Sequence, residues 1–197
     1  MAYDEKFNKG TPPDFFARAD EDHETVLDER AVEKLRRRAM NICLWHLERM
    51  DQTRKGLFDK LVKKEIPDII IEETLVKLSD MGLVDDERYA ENFVNSRVDG
   101  RLLGRRAVIQ GLRQKGVDTD IIAEAISEVT DEQEESNAKI LVSRKMKSSK
   151  GLDRQKRMNR LVGMLARKGY RGDVAFRVVR NALDEESDED GEETWDE

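Results

Sequence analysis

One cysteine, two histidines and three prolines stand among 197 residues. A single cysteine cannot form an internal disulfide, which fits a reducing compartment. His23 and His46 leave almost no material for a histidine-based metal site or a nucleophile relay. Aromatic residues make up 6% of the chain; with proline this scarce, slender helices are favoured over sheet. No apolar run approaches the ~18–20 residues that cross a membrane. The opening MAYDEKFNKG has no apolar stretch resembling a secretory signal, so the chain is expected to be cytoplasmic. A glycine-rich phosphate loop is missing too: GRLLGRR from Gly100 lacks the GKS/T ending and the preceding strand. The acids Asp85, Asp86 and Glu87 have no further ligands spaced around them and suit the positive start of a helix. Cys43 sits on an apolar stripe and reads as a small core residue. No catalytic set, metal or cofactor is therefore expected, and the chain is not expected to be an enzyme.

What the chain has in abundance is charge, 40% of its residues, unevenly placed. The net charge of −7 conceals a basic block: residues 139–183 hold fourteen bases and two acids, a net of +12. Residues 31–138 sum to −4, residues 1–30 to −5, and 184–197 carry ten acids and no base. A block of +12 is an electrostatic footprint for a polyanion or an acidic partner. The acidic ends are too poor in apolar residues to pack. Residues 1–27 are expected to form a largely disordered extension and 184–197 a disordered tail, whose acids are placed to fold over the basic block.

Between these ends apolar residues recur at helical spacing, and the chain repeats itself. LVKKEIPDIIIEETL from Leu61, LRQKGVDTDIIAEAI from Leu112 and LARKGYRGDVAFRVV from Leu165 superpose without gaps, at offsets of 51 and 53 residues. Lysine followed by glycine and an apolar residue is how a helix stops. Gly116 and Gly169 are expected in the left-handed position, with Val117 and Tyr170 folding back on the last turn. Glu65 replaces the glycine in the first repeat, so that turn is expected to differ. Asp68, Thr119 and Gly172 are the expected N-caps of the following helices. Leading helices over about 28–50, 86–99 and 131–147 complete each unit. The spacing thus predicts an all-α chain of nine helices: modules at 28–80, 83–129 and 131–183, each too small to bury its stripe without its neighbours.

The bases fall on outward rows. At about 100° per residue, Lys156, Arg160 and Arg167 lie opposite Met158, Leu161, Val162 and Leu165; Arg106 and Arg113 lie opposite Val108 and Leu112. Arg105 and Arg106 open a helix, where positive side chains oppose the dipole, and with Gly104 they are placed to hold a phosphate or a carboxylate. The candidate contact set is Arg105, Arg106, Arg113 and Lys115 in the second module and Lys156, Arg160, Arg167, Lys168 and Arg171 in the third. Reading of a DNA sequence through a major-groove helix is disfavoured: the helix after Thr119 carries Asp120, Glu124 and Glu128 and no base, and that after Asp68 carries Glu72 and Glu73. Contact with a phosphate backbone suits the rows better.

LVDDERYAENFVNSR from Leu83, GRRAVIQGLRQKGVDTDII from Gly104 and the tandem lysine–glycine–apolar repeats resemble the RecX family of bacterial recombination regulators, over roughly residues 31–183. Glu65 and the acidic ends depart from that core. The resemblance implies an elongated, curved stack of three-helix modules. It also implies a monomeric, non-catalytic regulator that binds the groove of the RecA filament, limits its growth, ATPase, strand exchange and coprotease activity, and contacts single- and double-stranded DNA, with no membrane. Residues and spacing alone leave two other readings open: a RecA-independent nucleic-acid-binding repeat protein and a helical protein–protein scaffold.

Overall fold

A computed structural model of the chain describes residues 29–149 and 151–192; the expected extension at 1–27 and residues 193–197 lie outside them. Among the described residues all regular structure is helical, in nine α-helices. The first module holds α1 (Glu29–Leu47), α2 (Arg54–Val62) and α3 (Asp68–Asp80). The second holds α4 (Asp86–Val98), α5 (Arg105–Gln114) and α6 (Thr119–Ser127). The third holds α7 (Asp131–Met146), α8 (Arg154–Arg167) and α9 (Gly172–Glu192), with a single 3₁₀ turn at Lys147–Ser149. The leading helices of the second and third modules start at side chains that cap them. Asp85 accepts from Arg88 N at 2.9 Å, and Thr130 accepts from Gln133 N at 3.1 Å, each satisfying an amide that the helix leaves unpaired.

Each module buries its own apolar stripe. Ala39, Cys43, Leu57, Leu61, Ile70 and Leu75 form one core; Ala90, Val94, Val108, Leu112 and Ile122 form the second; Ala138, Val142, Leu161, Leu165, Val174 and Val179 form the third. Superposed positions recur in the three cores: Leu57, Val108 and Leu161 are fully buried, as are Leu61, Leu112 and Leu165. Three small cores rather than one thick one follow from the composition: stripes only two or three residues wide bury one helix face each.

The turn between the second and third helix is the same in all three modules. Ile66 N donates to Leu61 O at 3.2 Å, Val117 N to Leu112 O at 3.2 Å and Tyr170 N to Leu165 O at 3.1 Å. The residue before each is left-handed, Gly116 at φ +73° and Gly169 at +88°. This pairing satisfies the last carbonyls of the helix. Contrary to expectation, Glu65 does not change the turn: it takes φ +57° itself. Ile66 is buried, and the fold-back that buries it imposes the strained angle. A left-handed residue with a Cβ costs roughly 1–2 kcal/mol, so Glu65→Gly is expected to stabilise the chain by about 1 kcal/mol, read from the shift in urea midpoint.

The expected N-caps are corrected by one residue. Asp68, Thr119 and Gly172 are the first residues of their helices, and the cap positions in the first two modules fall to Pro67 and Asp118. Asp118 accepts from Asp120 N at 2.8 Å. The turn uses its apolar residue as the fold-back and leaves only one residue before the next helix. The expected end of the third module at residue 183 is corrected as well. α9 continues without a break to Glu192. An acidic helix end is unfavourable by itself; here Arg154 and Arg157 of α8 pair with Asp184 and Glu186.

Candidate functional site

The modules meet through a seam that is built the same way twice. At each, the start of a middle helix rests on the turn of the following module and takes an acid from that module's leading helix. At the first seam Thr53 Oγ1 donates to Lys115 O at 2.7 Å and Arg54 N donates to Asp86 Oδ1 at 2.8 Å. At the second, Gly104 N donates to Lys168 O at 2.9 Å and Arg106 N to Gly169 O at 3.2 Å, while Arg105 N donates to Glu134 Oε1 at 3.1 Å. Gly104 is required for this approach: a Cβ there would lie 2.6 Å from the backbone of Gly169 and Tyr170. The second seam is the tighter. Asn137 Nδ2 donates to Val98 O at 3.1 Å, Gln133 Nε2 to Asp99 Oδ1 at 2.9 Å and Tyr170 OH to Leu102 O at 3.1 Å. Leu102 is left-handed, at φ +51°, which turns that carbonyl toward the third module. Burial, and then the Glu134 carboxylate, hold the Tyr170 phenol above its ordinary pKa, so it remains a donor.

This geometry sorts the nine candidate cations. Arg105 faces inward: its guanidinium meets Asp131 at 2.5 Å and Glu134 at 3.7 Å and donates to Val129 O. The helix start does hold a carboxylate, and that carboxylate belongs to the chain itself. Lys168 donates to Arg101 O at 3.1 Å, and Arg171 pairs with Asp173 at 2.8 Å. Arg106, Arg113, Lys115, Lys156, Arg160 and Arg167 are exposed, and within the described residues none of their side chains forms an ion pair. The second seam brings Arg106, Arg167, Lys168 and Arg171 into one neighbourhood, since Arg106 is bonded to the turn that the other three flank. At the first seam Lys60 is held below its ordinary pKa by burial and then by Lys115 and Lys63. Lysines of two modules are thus close enough to repel, a local excess of positive charge.

A further basic face is absent from the sequence-based set. Lys34, Arg37 and Arg38 are exposed on α1 and have no ion pair within the described residues, whereas Arg36 is spent on Glu73 at 2.8 Å. Trp45 follows two turns later with half its surface exposed, and the Arg49 guanidinium lies 3.6 Å from its ring centroid. The sum of −4 over residues 31–138 averaged this face away; a window of one helix would have shown it. Burial pushes the Cys43 thiol up to about 11, so it stays protonated near neutral pH and acts as core packing. Among the described residues no group of three or more His, Cys, Asp and Glu is placed to hold a metal. No described helix is long and apolar enough to cross a membrane.

Comparison with known proteins places these modules among relatives. Family models for the first, second and third three-helix domains of RecX match residues 39–78, 85–126 and 131–179. The chain is 48% identical to a regulatory protein RecX of Streptomyces lividans, over 81% of this chain and 84% of that one. It is 44% identical to the one from Thermobifida fusca, over 79% and 84%. Among solved structures, the fold is similar to crystal structures of RecX from Lactobacillus salivarius, at a TM-score of 0.70 with 24% identity over 76% of this chain and 97% of that chain, and of a second regulatory protein RecX, at 0.69 with 26% identity over 79% and 78%.

Proposed function

This chain belongs to the RecX family, and from that premise we propose that it is a regulator of RecA that works by docking, without a catalytic step. In this reading it lies along the RecA filament, its modules bridging neighbouring subunits, and limits filament growth, ATPase, strand exchange and coprotease activity. Arg106, Arg113, Lys156, Arg160 and Arg167 meet acids of RecA or phosphates of the DNA it holds. The observation that carries the reading is the division of labour on α8. Arg154 and Arg157 are paired within the chain, while Lys156, Arg160 and Arg167 on the outward side are left unpaired among the described residues. The chain works as a monomer in the cytoplasm and needs no cofactor.

The test is RecA's DNA-dependent ATPase and filament length, with and without the protein, at DNA in large excess over both. Inhibition that survives excess DNA makes RecA the target. Inhibition that disappears as DNA is added would mean that the protein merely sequesters DNA, the behaviour of a RecA-independent nucleic-acid-binding protein. An unchanged ATPase and unchanged filaments under all conditions would leave only a scaffold role.

A further inference from the structure

The seam contact has a counterpart within the third module. At the second seam the start of α5 holds acids of α7, Arg105 meeting Asp131 and Glu134. At the end of the chain the start of α8 holds acids of α9, Arg154 pairing with Asp184 and Arg157 with Glu186. Asp184 follows Asp131 by 53 residues and Glu186 follows Glu134 by 52, nearly the register that carries Leu112 onto Leu165. The stretch of α9 past Leu183 therefore matches the start of a leading helix in sequence register and in pairing its acids with arginines of a middle helix.

The two places differ in how firmly they are shut. Glu134 is 2% exposed and sits within a seam of further hydrogen bonds. Arg154 and Asp184 are 50% and 53% exposed. An exposed pair of this kind contributes little and is screened by salt. Arg157 and Glu186 are more covered, at 14% and 15%, and Arg157 also meets Ser149 Oγ at 3.4 Å. On the helical wheel Arg157 falls about 60° from Arg160 and so borders the row of Lys156, Arg160 and Arg167, while Arg154, at the first position of α8, lies about 60° further round beside it. Guanidinium groups in such a row match the oxygens of successive phosphates.

We propose that Asp184 and Glu186 act as an intramolecular competitor on the α8 surface, occupying Arg154 and Arg157 until the phosphate backbone of a single-stranded nucleic acid displaces them, bringing Arg157 at the edge of the row and Arg154 at the start of the helix into contact with the strand. The proposal rests on the reading of that row as a nucleic-acid contact. It assigns the first acids of the tail the task of setting the threshold for strand binding. A strand with many phosphates exchanges for two carboxylates through release of its counterions, a gain that a single small anion lacks.

The test uses the full chain and fluorescently labelled oligo(dT), followed by anisotropy. Asp184→Asn together with Glu186→Gln is expected to tighten binding at about 50 mM salt. Two added phosphate contacts steepen the salt exponent by about 1.4 for a single strand, so the advantage shrinks about sevenfold by about 200 mM. Arg154→Ala with Arg157→Ala in the same background should abolish the advantage. A folded double variant with unchanged oligo(dT) affinity at low salt overturns the proposal; so does one that gains affinity for RecA alone and not for oligo(dT), which would assign the arginines to an acidic protein instead. Should the variant unfold the third module, the parent chain decides: oligo(dT) is expected to speed amide exchange over 184–187, and unchanged protection overturns the proposal. Equal oligo(dT) binding by the parent and by the chain with Lys156, Arg160 and Arg167 reversed would remove the row itself, a distinct result.

Discussion

Charge reversal of Lys156, Arg160 and Arg167 together is expected to abolish inhibition of RecA's DNA-dependent ATPase while leaving the chain folded. All three side chains are exposed and none forms an ion pair within the described residues, so replacing them with glutamate disturbs no core and strands no carboxylate. Exposed substitutions of this kind typically move stability by no more than about 0.5 kcal/mol each. The functional effect should be far larger, because each reversal removes an attraction and installs a repulsion at the same point. If the three cations meet phosphates of a single strand, a lysine- and arginine-to-alanine version should also flatten the dependence of log affinity on log salt by about 2. Circular dichroism and a urea titration establish that the variant is folded; the ATPase assay then decides. Full inhibition by a folded triple reversal would place the docking surface elsewhere, with the α1 face of Lys34, Arg37, Arg38 and Trp45 next in line.

Glu134→Ala is expected to carry the largest stability cost of any single charge deletion among the described residues, about 3 kcal/mol, the lower end for breaking a buried ion pair because Arg105 retains some access to water. Glu134 is buried, and its carboxylate serves both the Arg105 side chain and the Arg105 amide. Its removal leaves that amide without its partner at the start of α5 and leaves the guanidinium with only Asp131 and the Val129 carbonyl. The corresponding deletion at the first seam, Asp86→Ala, removes one hydrogen bond to the Arg54 amide and should cost about 1 kcal/mol, as a lost cap does. Denaturant unfolding read by circular dichroism compares the two directly. A smaller loss for Glu134→Ala than for Asp86→Ala would show that the second seam is held by its backbone contacts to Lys168 and Gly169 rather than by the carboxylate.

Much of this architecture is written locally. The superposed leucines at 61, 112 and 165 gave the modules, because a helix face must be apolar every third or fourth residue whatever it packs against. Gly116 and Gly169 marked helix ends, because a left-handed residue is cheapest without a Cβ. The fates of individual charges were less legible. Arg105 and Arg106 are neighbours with the same charge, yet one is sealed against Asp131 and Glu134 and the other is exposed. Nothing within a few residues of either distinguishes them. The tail was misjudged for the same reason: DEESDED is a poor helix end by composition, and α9 extends into it because Arg154 and Arg157, some thirty residues earlier in sequence, supply the countercharge.

By itself, then, the sequence determined the helices, their threefold repetition and the separation of a basic body from acidic ends, since all of these depend on periodicity, capping chemistry and counts of charge. Only the tertiary structure decided which cations are free to meet a partner. An ion pair depends on distance through space, and the ties between leading, middle and turn residues at the seams join positions 26 to 68 apart in the chain. It is at these seams, where the modules stack, that a basic residue becomes either a structural tie or part of a working surface.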